Sequence, residues 1–421
     1  MKPKKKILLL STGDVNGAYE AIYRIALILR NDGHEVAMAV KTKTRTDSFI
    51  YRVPYGKGFL SSITSRVLEK LRPQKKTDPK YIFLDEDETG NYCNVQHILS
   101  TIPFVPDLVL SGMTDGFVVT RHLAAIHKLT GADIYSITVD MSVLTGGCHF
   151  AWDCKGYLAD CANCPAMLNE KDKDYPRKNL LLKKQHRAEG NIKVIAGSGW
   201  TLMQARQSAL YGSQEVIENV VGCIDTAIFN PRNREIAKRV FNIEDNIQLI
   251  FCGAQTFKDP RKGFSHFIEA LKILYNDLDE QQRKNVRVLV VDGADTSDVN
   301  IPFRALDIAY IKDYRLLSLA YQAADIFVCS SIEDSGPMTV SEALACGTPV
   351  VGFEMGAVSD MVVSNYNGYK AVLKDDKDLA KGMKQILMLS QEEKNKYAAN
   401  AVEHVNKYAS YQAVTTILNR L

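Results

Sequence analysis

The first forty residues follow a strand, loop, helix, strand pattern that restricts the chain to a few folds. The apolar run ILLLS at 7–11 precedes the polar loop TGDVNG, after which apolar residues recur at helical spacing up to Leu29. Asp32 and Gly33 end this helix, and the apolar run EVAMAV follows at 35–40. A helix that connects two strands in this way makes the strands parallel. We therefore predict an α/β chain with doubly wound parallel sheets.

The same alternation continues along the chain in two series. Strand-like runs of the first series occur at 81–84, 106–110, 133–138 and 192–197, and those of the second at 247–253, 286–291, 325–330 and 349–353. A chain of 421 residues is expected to form two or three domains. We predict two Rossmann-like domains, residues 1–228 and 229–405, with a weakly periodic linker at 224–246 and a C-terminal helix at 406–421 that crosses back to the first domain. Because parallel sheets bind ligands at the carboxyl ends of their strands, the cleft between the domains is the expected active site.

Charge and hydropathy argue against a nucleic-acid-binding protein and against a membrane-spanning one. Lys and Arg number 52 against 49 Asp and Glu, a net charge of +3, which is too small for a dedicated nucleic-acid binder. The apolar runs are far shorter than the roughly 20 residues of a membrane-spanning helix. The basic start of the chain precedes an apolar run that Gly13 and Asp14 soon interrupt, unlike a signal peptide. We expect a cytoplasmic protein.

The segment from Ser330 to Gly356 carries the densest pattern for chemistry. A strand ends at Ser330, and Pro337 is suited to the first turn of a helix. The free N–H groups at such a helix start, those of Met338, Thr339 and Val340, can bind phosphate. Glu342, one turn later, can accept hydrogen bonds from the two hydroxyls of a ribose. The alternative is a capped surface helix with a solvated Glu342.

This segment resembles the signature of the GT-B retaining glycosyltransferases of family 4. Here the signature is Asp334-x7-Glu342, followed by ALACGTPVV. Five other segments resemble that family in the same order along the chain: the Gly17-Ala18 pair, DGHEV at 32–36, AGSGWT at 196–201, VVGCIDTAIFNP, and GAQTFKDPRKGF at 253–264. The resemblance implies the GT-B fold, and the nearest branch is similar to enzymes of colanic acid, exopolysaccharide and O-antigen biosynthesis.

The resemblance also implies roles for individual residues. Lys262 would neutralise the departing diphosphate, Glu342 would bind the ribose, and Asp334 would contact the donor sugar. A fixed cation is suited to this reaction because the expelled nucleoside diphosphate gains negative charge as the bond breaks. Asp140 is the candidate polar group beside the transferred sugar. Further substrate contacts are expected from the glycine loop and from the neighbours of the signature, namely Gly17, Ala18, Arg261, Glu333, Ser335 and Gly336.

Three positions depart from the family pattern. Asp334 stands where Glu is commonest, and because Glu333 is its neighbour, the carboxylate that reaches the sugar is left open. The usual Arg of the donor loop is Ala254, and Arg261 could supply the missing charge. Val139 stands where the nearest branch often has His.

Four of the nine cysteines cluster in an insert at 146–166, as Cys148, Cys154, Cys161 and Cys164. Four thiols with a C-x2-C pair have the spacing of a structural zinc site, and His149 is a substitute ligand. Reduced thiols and a redox-sensitive disulfide pair are the alternatives. A similar insert occurs in the polysaccharide-assembling branch of the family. A zinc ion held by four sulfurs would fold the loop and take no part in catalysis.

A basic amphipathic segment at 56–76 has apolar residues at helical spacing with Lys and Arg alongside. It is consistent with an interfacial helix that docks the enzyme on an anionic membrane surface, where a lipid-linked acceptor would lie. The alternative is a helix packed on its own domain with a solvated basic rim.

The resemblance implies a retaining glycosyltransferase, and we expect it to use a UDP- or GDP-sugar and no catalytic metal. The expected acceptor is a saccharide, free or lipid-linked, in bacterial exopolysaccharide or lipopolysaccharide assembly at the inner face of the membrane. Two other classes stay open. The departures at 139 and 254 are compatible with a catalytically impaired partner subunit that still binds nucleotide sugar, and a sugar-nucleotide epimerase can share the two-domain architecture.

Overall fold

The structure is a computed structural model that describes residues 4–15, 17–54, 75–84, 87–90, 92–212, 216–217, 222–254, 256–292, 299–309 and 311–421. The chain divides into two compact units. The first comprises Met1–Gly197 and Thr201–Asn219, and the second comprises Ser198–Trp200 and Val220–Leu421. The predicted boundaries at 228 and 405, and the crossing of the C-terminal helix, stay predictions.

A parallel sheet of seven strands forms the first unit, in the order β3-β2-β1-β4-β5-β6-β7. The strands are β1 (Lys6–Ser11), β2 (Glu35–Val40), β3 (Ile50–Arg52), β4 (Leu108–Ser111), β5 (Asp133–Thr138), β6 (Lys193–Ala196) and β7 (Val216–Ile217). The helices are α1 (Gly17–Asn31), α2 (Val95–Thr101), α3 (Thr120–Thr130), α4 (Tyr175–Glu189) and α5 (Gly199–Gln207), the last of which begins in residues grouped with the second unit. Leu8, Leu10, Val109 and Ile134 are buried in its core, as expected for strands covered on both faces.

The second unit is a parallel sheet of six strands in the order β10-β9-β8-β11-β12-β13. The strands are β8 (Gln248–Gly253), β9 (Val286–Asp292), β10 (Arg304–Ala309), β11 (Ile326–Cys329), β12 (Val350–Phe353) and β13 (Gly368–Ala371). The helices are α6 (Arg234–Val240), α7 (Phe264–Asp277), α8 (Glu280–Lys284), α9 (Tyr314–Ala323), α10 (Met338–Ala345), α11 (Gly356–Met361), α12 (Asp376–Leu387), α13 (Gln391–Tyr408) and α14 (Tyr411–Leu418).

Each face of the second sheet has its own apolar core. One contains Phe267 and Leu271 of α7, and the other contains Tyr321 of α9 and Leu344 of α10. The α/β class with doubly wound parallel sheets is thus confirmed. Strands β8 and β11 are parallel neighbours, so their carboxyl ends lie at the same edge of the sheet. The loops that follow these two strands therefore emerge side by side.

Two local predictions are wrong. Residues 81–84 are not a strand of the sheet, because Pro79–Tyr81 forms a 3-10 turn and Ile82 has a φ of 48°, which breaks an extended backbone. Phe83 makes only an isolated bridge with Cys148. The segment at 224–246 is more than a linker, since α6 lies within it and buries Ala237.

The predicted interfacial segment at 56–76 falls almost entirely on residues outside the described ranges. Among the helices in the described part of the chain, none combines the length and apolarity that a membrane crossing requires.

Candidate functional site

Lys262 lies at the end of a short 3-10 turn, Pro260–Lys262, between β8 and α7. Asp259 caps the turn, with its carboxylate accepting the N–H of Arg261 at 3.0 Å. The Lys262 Nζ lies 2.5 Å from Oδ2 of Asp334, which is 72 residues away in the chain. Both side chains are largely covered, at 25% and 13% exposure. The structure thus joins two predicted site residues in one ion pair.

Gly263 allows this turn to reach the loop after β11. It has a φ of +61°, and a β-carbon there would lie 1.9 Å from the carbonyl oxygen of Ser330. The Ser330 hydroxyl donates to the Lys262 carbonyl at 2.9 Å, and the Ile332 N–H donates to the Arg261 carbonyl at 2.8 Å. The two loops therefore form one packed backbone unit that sets the position of Lys262.

The Asp334 carboxylate is held as an anion. Its Oδ1 accepts the N–H of Gly336 at 3.1 Å. Burial raises the pKa of Asp334, but the charges of Lys262 and Arg261 and the hydrogen bonds to its oxygens outweigh burial, so the pKa is lowered overall. Asp334 is accordingly ionised at neutral pH, and its carboxylate lies against the Lys262 Nζ.

The lowered pKa of Asp334 predicts how pH affects the stability of the protein. A depressed folded-state pKa contributes stability that is present above the unfolded value of about 3.9 and is lost as the pH falls through the folded value. We expect Asp334→Asn to unfold at lower urea concentration than the wild type at pH 7, and the difference to shrink below about pH 4. Urea denaturation at several pH values measures this. A difference that grows at low pH would contradict the ion pair.

Helix α10 begins at Met338, four residues after Asp334. Pro337 precedes its first residue, and no side chain caps its N-terminus. Of the three amides predicted to bind phosphate, that of Val340 donates to the Pro337 carbonyl at 3.3 Å. The predicted anion site is therefore reduced to the N–H groups of Met338 and Thr339.

Glu342 is buried, with 4% exposure, so the alternative of a solvated surface side chain is wrong. The Tyr321 hydroxyl, from α9, donates to its Oε2 at 3.2 Å. Burial and then the nearby Glu342 charge raise the pKa of Tyr321 well above its ordinary value, so the hydroxyl keeps its proton. Sequence reasoning missed Tyr321, which reads there as one more apolar position of a helix.

Tyr321→Phe is expected to lower the free energy of unfolding by about 1.5–3 kcal/mol, the range for a hydrogen bond to a charged group. The buried carboxylate of Glu342 loses a donor, while the packing of the ring is kept. Urea denaturation checks this. Tyr275→Phe is the matched control, because the Tyr275 ring packs on Phe303 in the same unit and its change leaves Glu342 untouched. Equal effects of the two changes would contradict a role for the Tyr321 hydroxyl.

The neighbours of the signature take different positions. The Arg261 guanidinium pairs with the Asp259 carboxylate beside it. Glu333 is buried at 8% exposure, and it is Asp334 that pairs with Lys262. The Ser335 carbonyl accepts a hydrogen bond from the hydroxyl of Ser198, which belongs to the AGSGWT segment. Of the two adjacent carboxylates, Asp334 is thus the one that pairs with Lys262 in the Pro260–Lys262 turn.

The remaining predicted residues belong to the first unit. Gly17 begins α1 with a φ of +48°, followed by Ala18. Asp140 follows β5 and is buried, with Oδ2 2.8 Å from Nδ1 of His149. Burial raises the pKa of Asp140, but the interactions with His149 and Ser142 lower it by a larger amount. The pKa of Asp140 is therefore below its ordinary value.

His149 therefore has a different contact from the one the sequence suggested. Its Nδ1 is engaged by Asp140, so this nitrogen is not a metal ligand as it stands. The loop after β4 adds a second carboxylate that the sequence did not single out: Asp115 accepts the Tyr19 hydroxyl at 3.4 Å. Burial is the main cause of the raised pKa of Asp115. No spacing in the sequence relates Asp115, Asp140 and His149 to one another.

The four clustered cysteines line a single cavity of the first unit, together with Tyr81, Thr145 and Pro176 among others. All four are free thiols. Burial raises the pKa of Cys161 to about 11, and the neighbouring thiols add to the effect. Across the described ranges, no three His, Cys, Asp or Glu side chains are placed to hold a metal ion as they stand.

Comparisons with known proteins show which proteins this chain is similar to. Residues 233–404 match the family described as glycosyl transferases group 1. A D-inositol 3-phosphate glycosyltransferase of Geodermatophilus obscurus is 28% identical over 231 residues, which are 51% of this chain and 50% of that protein. The chain thus spans about half the length of this relative.

Two solved structures match almost the whole chain. Anabaena HepE in complex with UDP has a TM-score of 0.64 at 14% identity, over 99% of this chain and 98% of that one. WaaG, a glycosyltransferase involved in lipopolysaccharide biosynthesis, has a TM-score of 0.61 at 14% identity, over 98% and 99%. The fold is therefore GT-B, the fold of a class of glycosyltransferases. The match to the group 1 glycosyl transferases covers residues 233–404, which belong to the second unit.

Proposed function

We propose that this protein is a retaining glycosyltransferase that moves a sugar from a UDP- or GDP-sugar to a saccharide acceptor. The observation that carries the proposal is the Lys262–Asp334 ion pair beside the uncapped N-terminus of α10. The pair joins a cation to a carboxylate in the loop that leads into α10, and the first amides of that helix are those of Met338 and Thr339. HepE, which shares the fold, has been solved with UDP and with UDP-glucose, and this similarity supports the donor class.

Each group has a role in the proposed reaction. Lys262 and the amides of Met338 and Thr339 stabilise the negative charge that develops on the departing diphosphate. Asp334 accepts hydrogen bonds from hydroxyls of the donor sugar, and its hydrogen bond from Gly336 keeps the carboxylate in place. The positive charge comes from the chain itself in this scheme, which therefore uses no catalytic metal.

Glu342 is proposed to bind the ribose. Tyr321 fixes one of its carboxylate oxygens from inside the unit, so the carboxylate is already oriented before a nucleotide arrives. An oriented acceptor loses less conformational entropy on binding than a mobile surface side chain. Gly17, Ala18 and Asp140 are also proposed to contact substrate.

The proposed acceptor is a saccharide, free or lipid-linked, of a bacterial surface polysaccharide. The resemblance of the motifs to exopolysaccharide and O-antigen enzymes supports this, as does the shared fold with WaaG. An anionic membrane surface at the cytoplasmic face is the proposed place of action, and nucleic acid is not a proposed partner.

A thermal-shift panel tests the donor site. UDP, GDP, ADP, CMP and dTDP are added separately at millimolar concentration, with EDTA present. A nucleotide at 100 times its Kd stabilises the protein by about 2.7 kcal/mol, which is easily detected. We expect a shift with UDP or GDP that Glu342→Ala abolishes and that Glu342→Gln, which keeps an acceptor for the Tyr321 hydroxyl, reduces less.

The absence of any shift would overturn the donor site. If one nucleotide does stabilise the protein, hydrolysis of the corresponding nucleotide sugar distinguishes an enzyme from a catalytically impaired partner subunit. An enzyme should release free sugar slowly without an acceptor, and Lys262→Ala should stop the release. A protein that binds the nucleotide but hydrolyses and transfers nothing would contradict the proposed activity.

A further inference from the structure

The sugar-transfer scheme leaves a buried group of four thiols without a role. Cys148, Cys154, Cys161 and Cys164, hereafter the thiol cluster, line one cavity of the first unit. They come from a stretch of seventeen residues with little regular structure, which packs against Pro79–Tyr81 and the start of α4. Isolated buried cysteines behave as small apolar side chains, but four around one cavity need another explanation.

The sulfurs converge on a common space. A β-carbon added at Gly156 would lie 3.4 Å from the Cys154 Sγ and 3.9 Å from the Cys161 Sγ, so both sulfurs lie within 4 Å of one point. Cys148 and Cys164 line the same cavity from other sides. The chain takes a left-handed turn at Cys161, with a φ of 56°, and again at Asn163, with a φ of 49°. A left-handed backbone at a residue with a side chain costs about 1–2 kcal/mol. The contacts around the C-x2-C turn must therefore offset this cost.

Polar groups surround the sulfurs in the manner of a thiolate site. The Gly156 N–H donates to the Cys154 Sγ at 3.4 Å. A backbone hydrogen bond from Gly146 reaches Cys161, and the Thr145 hydroxyl donates to the carbonyl of Cys148 at 2.6 Å. Cys164 has backbone hydrogen bonds from both Ala166 and Met167. Neutral thiols are weak acceptors, whereas such donors orient and stabilise metal-bound thiolates.

We infer that the thiol cluster binds one zinc ion through four thiolates. Zinc takes four sulfur ligands in a tetrahedron at about 2.3 Å, and a C-x2-C turn commonly supplies two of them. The described residues do not present three such ligands at binding distance as they stand. The inference therefore requires the sulfurs to move closer together when the ion binds. With four sulfur ligands the ion has no open position for substrate, so its proposed role is structural.

A bound ion would also secure the surroundings of Asp140. His149 directly follows Cys148, and its Nδ1 contacts the Asp140 carboxylate. The His149 N–H donates to the carbonyl of Ile82 at 3.0 Å, and the Met141 N–H donates to the carbonyl of His149 at 3.0 Å. Crosslinking the segment through zinc therefore limits the motion of the residue that holds Asp140.

The test is the zinc content of the full chain, purified with zinc in the medium and without chelators. Elemental analysis after dialysis should find one zinc per chain. Cys161→Ser/Cys164→Ser should contain none, while Cys93→Ser, which removes a cysteine outside the cavity, should keep its zinc. Wild type without zinc would overturn the inference, as would a double variant that retains a full equivalent.

A second measurement covers the case in which the double variant does not fold. Wild-type protein stripped of metal is titrated with Co²⁺ under reducing conditions. Four thiolates in a tetrahedron give intense visible bands with sulfur-to-cobalt charge transfer, which saturate at one equivalent and disappear on addition of zinc. Weak bands typical of octahedral cobalt, or disulfides among these cysteines in the intact mass of protein isolated without reductant, would overturn it. Neither readout depends on donor binding, so the zinc site and the proposed transfer activity can fail separately.

Discussion

Lys262→Ala is expected to lower the rate of sugar transfer by about 10²–10³-fold, the loss that follows removal of one preorganised charge-stabilising group. The charge on the leaving diphosphate develops mainly in the transition state, so kcat should fall more than the affinity for the nucleotide sugar. Steady-state kinetics with the donor found by the thermal-shift panel, together with the Kd of the nucleotide from calorimetry, measure the two effects.

Lys262→Arg is the matched control for this change. It keeps a cation opposite Asp334, although with a different shape, so it should retain much more activity than the alanine variant. Circular dichroism of both variants checks that the second unit is folded, because Lys262→Ala also leaves the Asp334 carboxylate without its cation. An alanine variant that transfers sugar at nearly the wild-type rate would exclude Lys262 from the reaction.

Gly263→Ala is expected to lower the free energy of unfolding by about 3 kcal/mol or more, because the new methyl group overpacks a close contact and the backbone is left-handed. The β-carbon would lie 1.9 Å from the Ser330 carbonyl oxygen, so the two loops must separate. Lys262, the next residue, would then leave Asp334, and transfer should fall with stability. Urea denaturation and kinetics on the same sample report both effects.

Gly347→Ala is the control that separates the contact from the backbone conformation. Gly347 lies in the same unit with a similar φ of +73°, but a β-carbon there would have no neighbour closer than 3.4 Å. Its substitution should lower the free energy of unfolding by only about 1–2 kcal/mol, the cost of a left-handed backbone at a residue with a β-carbon. Equal losses of stability in the two variants would show that the close approach of the two loops is not needed.

Much of the fold could be predicted from local pattern. The alternation of apolar strands with amphipathic helices indicated two parallel α/β units, since each strand and helix is built from neighbours in the chain. The short strands at 50–52 and 368–371 carry too few apolar residues to stand out. The run at 81–84 was misread because its composition is that of a strand, while Ile82 adopts a left-handed backbone. Pattern alone does not specify such a local turn.

The sequence by itself determined the class of the two sheets and, through its resemblance to a known signature, the residues that deserve testing. Only the tertiary structure decided which of them meet. It paired Lys262 with Asp334, buried Glu342 against Tyr321, joined His149 to Asp140 and gathered the four thiols around one cavity. The physical reason is that helix and strand periodicity depend on neighbouring residues, whereas these contacts join side chains on different loops and helices. Their geometry is set by sheet order and by close backbone contacts such as that of Gly263 with Ser330.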